Sequence, residues 1–164
     1  MLTGRAFKFG DNISTDQIIP GRFAHLRSNL PELAKHAMED ADPTFVARVK
    51  SGDFIVAGSN FGLGSSREHA PLVIKMAGVN AILARSVARI FFRNAINVGL
   101  PVLLCHTDNI NDGDELEVDL KAGTIRDITS GSRLTFSKIP EIMLHILDEG
   151  GLLPYLEKYG DFKL

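Results

Sequence analysis

The sequence predicts an α/β fold in which a core of parallel strands and helices is extended by antiparallel hairpins. Two observations carry this prediction. Short apolar runs alternate with helix-length segments between residues 54 and 104, and turn residues recur roughly every ten residues after residue 105. No linker, repeat or low-complexity tract divides the 164 residues, so we expect a single domain, 1–164.

Three apolar runs, 54–57, 81–84 and 101–104, are predicted to be strands covered on both faces, because each is short and uninterrupted. The segments between them, 71–78 and 86–97, are predicted to be helices. Two consecutive strand-helix-strand units imply a parallel sheet with right-handed crossovers.

The regions before residue 54 and after residue 104 have different sequence patterns. Residues 10–16 are rich in Gly, Asp, Asn and Ser and predict a loop, and 22–29 predict an exposed loop without helix or strand periodicity. A helix is predicted from Pro31 until Asp42, and another from Pro140 until Gly150. Between them, turn residues separate short alternating runs, which indicates antiparallel hairpins; the turns are at 111–113, 121–123 and 130–131.

Composition excludes several classes of protein. With 45% apolar and 23% charged residues and no apolar run of about 18, the chain is not expected in a membrane, and we expect it in the cytoplasm. The net charge of −2 and the absence of a Lys/Arg block give no reason to expect nucleic acid. The single cysteine, Cys105, follows an apolar run and is expected to be a buried thiol, and the five histidines lack ligand spacing. We expect no metal held by this chain alone.

The strongest chemical signal is the segment 58–68, GSNFGLGSSRE, which leaves a predicted strand and enters a helix. Glycines that permit positive φ and a close backbone approach recur in it: Gly58, Gly62 and Gly64. Ser65 and Ser66 add hydroxyls, and Arg67 adds a guanidinium that can pair with a carboxylate through two hydrogen bonds. Together these residues predict an anion site at the carboxyl edge of the sheet.

Other interpretations of this segment stay open. Ser65 and Glu68 have the spacing of a capping box, although Pro71 favours a helix that begins later. The spacing fits neither a phosphate-binding loop nor a Gly-x-Ser-x-Gly nucleophile elbow. His69 is the base that a serine hydrolase would need, which is the least favoured alternative.

Two further segments are candidates. The segment 11–16 is either a self-bonded turn or a ligand contact, and we expect it to position the loop beside it. The arginines of 22–28 either face solvent or close over an anion. Arg89 and Arg93 share a helix face, where solvent or a structural ion pair is expected.

Residues 10–16, 19–22, 58–70 and 88–101, taken in order, resemble the small subunits of 3-isopropylmalate dehydratase, in the aconitase family. The resemblance implies a swivelling β/β/α domain that docks on a separate large subunit, as a heterodimer or heterotetramer. That partner is expected to carry a [4Fe–4S] cluster with one open iron. The implied activity is a hydro-lyase reaction of leucine biosynthesis, on a small di- or tricarboxylate.

The resemblance also implies roles for individual residues. Ser65 corresponds to the catalytic base, Arg67 to the group that binds a substrate carboxylate, and Ser66 to a supporting residue. The remaining candidates are expected to position the loops: Asp11, Ser14, Thr15, Asp16, Gly62 and Gly64.

Arg27 leaves open whether the substrate is isopropylmalate or homoaconitate. His25-Leu26-Arg27-Ser28 resembles homoaconitase small subunits more than isopropylmalate enzymes, because an arginine follows the leucine. Such an arginine would favour a distal carboxylate and would be left unpaired against an isopropyl group. The remaining motifs favour isopropylmalate, with homoaconitate second. A stand-alone carboxylate-binding module is the alternative outside enzymes, and it predicts no exposed apolar docking surface.

Overall fold

The computed structural model describes residues 1–161. Their strands are β1 (Leu2–Lys8), β2 (Phe54–Ala57), β3 (Ala81–Ala84), β4 (Val102–Leu104), β5 (Glu115–Asp119), β6 (Thr124–Asp127) and β7 (Arg133–Thr135). Their α-helices are α1 (Thr15–Ile18), α2 (Leu30–Ala34), α3 (Phe45–Arg48), α4 (His69–Met76), α5 (Arg89–Asn97), α6 (Glu141–Asp148) and α7 (Leu152–Tyr159). The sheet order is β4-β3-β2-β1-β5-β6-β7.

Strand β1, which the sequence pattern did not predict, joins two kinds of sheet. Its first residues pair antiparallel with β5, and its last residues, Ala6 to Lys8, pair parallel with β2. Strands β1 to β4 with α4 and α5 are called the parallel half below, and β5 to β7 the antiparallel half. Gly4 has no room for a side chain because a Cβ there would overlap the backbone of Gly52.

The core has two main layers, separated by the parallel strands. Ile55 and Ala57 of β2 belong to the cluster that packs beneath the helices, whereas Phe54 and Val56 belong to the cluster shared with the antiparallel half. Alternate side chains of one strand therefore serve opposite layers. The predicted α/β class, with parallel strand-helix-strand units and antiparallel hairpins, is confirmed.

Several predicted boundaries are wrong. Helix α4 begins at His69 and α5 at Arg89, and the helix predicted from Pro31 ends at Ala34. The chain cannot continue that helix through Met38, because φ there is 62° and its amide donates to Ile18 O. None of the helices within residues 1–161 has the length and apolar character needed to cross a membrane.

Two other segments carry structure that was not predicted. Residues Gly21–Leu26 form a 3₁₀ helix where a loop was expected, with Phe23 stacked on His36 at 3.7 Å between ring centroids. Helix α7 follows Gly150-Gly151, which was expected only to stop α6. The positive φ of both glycines lets the chain reverse there within two residues.

Candidate functional site

Two loops meet at the carboxyl edge of the parallel strands, one after β1 and one after β2. The amide of Asn12 donates to Ser59 O at 2.8 Å, and the amide of Thr15 donates to Leu63 O at 2.9 Å. The backbones are thus paired as in a short sheet, which holds the second loop in place. This contact joins the two segments that the sequence singled out.

Asp11 and Gly58 form the first fixed point between the loops. The amide of Ser59 donates to Asp11 Oδ1 at 2.7 Å, and a Cβ at Gly58 would overlap that same carboxylate oxygen. The expectation of positive φ holds for Gly62 (80°) and Gly64 (102°) but is wrong for Gly58. Gly58 is needed because Asp11 approaches so closely.

Ser14 and Thr15 have separate tasks. Ser14 caps α1 in a reciprocal capping box with Gln17, so its hydroxyl is used within its own segment. Thr15 is buried, and its hydroxyl donates to Ser65 O at 2.9 Å. The backbone of the proposed catalytic serine is therefore tied to α1.

The segment Ser65-Ser66-Arg67 stands free of helix α4. The capping-box alternative is wrong, because the N-cap of α4 is Glu68 and no side chain bonds to the cap. Both serines are exposed at one wall of a cavity of about 500 Å³. Its lining is Ile19, Ala24, Arg27, Ser65, Ser66, Arg67, Glu68, His69 and Asn94. Three of the four predicted catalytic and substrate-binding residues come from one segment, and Arg27 joins them from the 3₁₀ region.

Arg67 is held from two directions. Its Nη2 lies 2.6 Å from Asp16 Oδ1, and its Nη1 donates to Ile19 O at 2.9 Å. Its side chain is 29% exposed, whereas that of Asp16 is 67% exposed. Only two donors of the guanidinium are used in these contacts, so others remain for a ligand.

The arginines of the third candidate segment have different surroundings. Arg22 pairs with Glu39 at 2.9 Å and with Asp40 at 2.8 Å, and the hydrogen bond to Asp40 raises the pKa of Arg22. Arg27 lines the cavity, and its Nε donates to Ala24 O at 3.0 Å. Arg22 is thus compensated within the chain, whereas Arg27 is available to an anion.

Asn94 is the site residue that sequence reasoning missed. It lies on α5, whose N-terminus follows β3 at the same edge of the sheet, and it lines the cavity beside Ser65 and Arg67. The crossover rule already places the start of that helix near the carboxyl edge, which was the available signal.

Cys105 is unsuited to metal binding. It is buried at the end of β4, and burial raises the pKa of its thiol to about 11. Among residues 1–161, no three His, Cys, Asp or Glu side chains are grouped so that they could hold a metal ion.

A separate apolar groove of about 700 Å³ lies between α5 and α6. Phe92 and Ile96 form one side, and Ile142 and Met143 form the other. Arg89 and Arg93, both exposed, also line it. Within the described residues neither arginine has an ion pair, so the expectation of solvent exposure fits and that of a structural ion pair does not.

Comparison with known proteins places the whole chain in one group. The Aconitase C-terminal domain family matches residues 34–106. The chain is 64% identical to 3-isopropylmalate dehydratase small subunit 2 of Archaeoglobus fulgidus, with 99% of both chains covered. It is 52% identical to the methanogen homoaconitase small subunit of Methanothermobacter thermautotrophicus, covering 98% of this chain and 94% of that one.

A solved structure agrees with these sequence relatives. The crystal structure of 3-isopropylmalate dehydratase from Methanocaldococcus jannaschii superposes with a TM-score of 0.92 at 47% identity, over 97% of this chain and 95% of that chain. The chain belongs to the aconitase family, in the group of 3-isopropylmalate dehydratase small subunits.

Proposed function

We propose that this chain is the small subunit of a cytoplasmic heteromeric hydro-lyase that interconverts 2-isopropylmalate and 3-isopropylmalate by dehydration and rehydration. The observation that carries the proposal is the single cavity shared by Ser65, Ser66, Arg67 and Arg27 in a chain of this family. Two hydroxyls and two guanidiniums suit a small dicarboxylate, because carboxylates are bound most strongly by charged donors.

Ser65 is the proposed base that removes the proton from carbon and returns it. A free serine hydroxyl is a weak base, so its alkoxide must be stabilised by the site. Arg67 lies two residues away in the same cavity wall, and the bond from Thr15 to Ser65 O fixes the backbone that presents the hydroxyl. Closure by a partner would strengthen these interactions by excluding water.

Arg67 is proposed to exchange Asp16 for a substrate carboxylate. The Asp16 carboxylate is mostly exposed, and ion pairs with exposed partners contribute little net free energy. A dicarboxylate in the cavity could therefore pair with the free guanidinium donors, while the bond to Ile19 O keeps the guanidinium in place.

The chain is proposed to act only with a large subunit that carries a [4Fe–4S] cluster, in a heterodimer or heterotetramer. When bound there, the open iron of the cluster would supply a Lewis acid for the substrate hydroxyl. The apolar groove between α5 and α6 is a candidate docking surface for a protein partner, since apolar side chains of both helices line it and two exposed arginines border it. Helix α5 lines both the groove and the site cavity, so docking there would place the partner beside Ser65.

Homoaconitate is the second candidate substrate, and Arg27 is the observation that favours it. Its guanidinium lines the cavity and is exposed, so it could pair with a third carboxylate. Against an isopropyl group it would have to remain in water, because a desolvated and unpaired charge is costly.

The test is to mix the chain anaerobically with the large subunit of the same organism and to follow isopropylmaleate and cis-homoaconitate separately by absorbance. We expect activity only in the mixture, greater with isopropylmaleate, and reduced about 10²- to 10⁴-fold by Ser65→Ala. Ser132→Ala, at an exposed serine of the antiparallel half, is the matched control.

The other outcomes separate the alternatives. Preference for cis-homoaconitate would reject isopropylmalate as the substrate and retain the hydro-lyase. Carboxylate binding by the isolated chain, with no complex formed, would favour the stand-alone binding module instead.

A further inference from the structure

A second cavity also borders the serine segment. It has a volume of about 230 Å³ and shares four lining residues with the larger one: Ser65, Ser66, Arg67 and Asn94. Its additional wall is formed by Gly62, Gly64 and the first turn of α5, including Ala88, Ile90 and Phe91. The same residues thus line a larger cavity of mixed polar and apolar lining, which includes Arg27, and a smaller cavity that is mainly apolar.

The apolar wall is built on a rigid support. Phe91 is only 3% exposed and meets Phe61 edge-on, with ring centroids 5.3 Å apart. A Cβ at Gly62 would overlap the Phe91 ring, so the glycine loop is packed directly onto it. The first turn of α5 is therefore fixed relative to the loop that carries Ser65.

Ile90 is a large apolar side chain in this wall that lies outside the core. It is 53% exposed and is the residue next to the buried Phe91. A single exposed isoleucine is ordinary on a protein surface. This one, however, lines a cavity together with both serines and Arg67.

We propose that Ile90 forms an alkyl subsite that receives the non-reacting side group of the substrate and so determines its preferred size. The inference rests on the proposed function and deepens it. Of the two cavities, only the larger is lined by Arg27 and only the smaller by Ile90, so each suits a different kind of side group. A distal carboxylate would turn to Arg27, and a branched alkyl group would turn to Ile90.

Arg89 does not prevent this assignment, although it also lines the smaller cavity. The residue is exposed, and its aliphatic stem can border apolar groups while the guanidinium stays in water. The carboxylates of the substrate remain with Arg67, which borders both cavities.

The test compares isopropylmaleate with citraconate, its methyl counterpart, in the assembled two-subunit enzyme. We expect Ile90→Ala to lower the ratio of kcat/KM for isopropylmaleate over citraconate at least about 10-fold, since one methylene in an apolar pocket is worth about 10- to 200-fold. Ile90→Val should give a smaller change in the same direction. Ile128→Ala, at an isoleucine of the antiparallel half that is 41% exposed, is the matched control and should leave the ratio unchanged.

The affinity between the subunits is measured for every variant. A selective loss for isopropylmaleate with unchanged affinity supports the subsite. An unchanged ratio would overturn the subsite, and an equal loss for both substrates that follows weaker assembly would overturn it and assign Ile90 to the subunit contact. Inactivity of the wild-type pair toward both compounds would instead overturn the proposed function on which the subsite depends.

Discussion

Polar side chains of the parallel half line an open cavity, whereas two carboxyls of the antiparallel half are buried. Ser65 and Ser66 are exposed, but Asp114 and Asp127 are 5% and 1% exposed. The difference follows from how the strands are connected. Crossover connections return every parallel strand in the same direction, so the loops after β1, β2 and β3 gather at one edge. Hairpin connections alternate between the two edges, so they do not bring successive loops to one edge.

If the antiparallel half serves stability alone, a core substitution there should lower the free energy of unfolding without lowering the activity of the folded enzyme. Leu116 is fully buried in the layer between the two halves, and Leu116→Ala should lower the free energy of unfolding by about 2–5 kcal/mol. The specific activity of the folded enzyme should remain near that of wild type. Denaturant unfolding and assays well below the midpoint would check both.

Leu153→Ala is the control for that substitution. The Leu153 side chain is 67% exposed, so its removal should change the free energy of unfolding by less than about 0.5 kcal/mol. A loss of activity in folded Leu116→Ala would contradict the division of tasks between the halves.

At Arg67 in the parallel half we expect the opposite result, a loss of activity with little loss of stability. Arg67→Lys keeps the charge but cannot keep the bond to Ile19 O and at the same time pair with a substrate carboxylate through two parallel hydrogen bonds. We expect kcat/KM to fall roughly 30- to 1,000-fold, which corresponds to a loss of about 2–4 kcal/mol of transition-state stabilisation.

Stability distinguishes this effect from simple disruption. The melting temperature of Arg67→Lys should stay close to that of wild type, because Asp16 is exposed and tolerates a lost partner. A near-normal kcat/KM for Arg67→Lys would contradict the proposed contact between Arg67 and a substrate carboxylate.

Asp127 provides a pH test of the buried carboxyls. Its Oδ2 is buried without a hydrogen-bond partner among the described residues, and burial, with Asp114 nearby, raises its pKa. The folded protein thus holds this proton to a higher pH than the unfolded chain does. This contribution to stability is complete below the unfolded pKa of about 4 and is lost as pH rises through the folded pKa.

Asp127→Asn removes the ionisation but can keep the bond from the Ser130 amide to Oδ1. We expect the free energy of unfolding of the variant to rise relative to that of wild type as pH rises from about 4 to 7, because only the wild type loses the contribution of the bound proton. Asp119→Asn, at a partly exposed turn carboxyl, should show a much smaller trend. A pH-independent difference for Asp127→Asn would argue against a bound proton.

Local patterns predicted the residues of the candidate site but not the contacts that position them. Gly62, Ser65 and Arg67 were identified from residue types next to a predicted strand, because all three lie in one short segment of the sequence. Arg67 meets Asp16 across 51 positions of sequence, and no periodic pattern specifies such a partner. Asn94 is brought to the same cavity by the crossover after β3 and not by a pattern in its own segment.

Strand β1 shows the same limit within the fold. It pairs with β5 through one part of its length and with β2 through the other, so its two parts have different surroundings. Neither simple alternation nor a continuous apolar run results. Gly4 weakens the strand signal further, although the close backbone of Gly52 requires a glycine there.

Substitution of Arg22 is expected to have the smallest effect, and it tests whether Arg22 and Arg27 have different roles at the edge of the cavity. Arg22 and Arg27 lie five positions apart, but only Arg27 lines the cavity, and Arg22 pairs with Glu39 and Asp40. Arg22→Gln should change kcat/KM less than about twofold, because exposed ion pairs are weak. Its melting temperature should approach that of wild type as salt is added, since screening weakens the pairs in the wild type. A larger effect on kcat/KM than that of Arg27→Gln would mean that Arg22 exchanges its acidic partners for substrate, as proposed for Arg67.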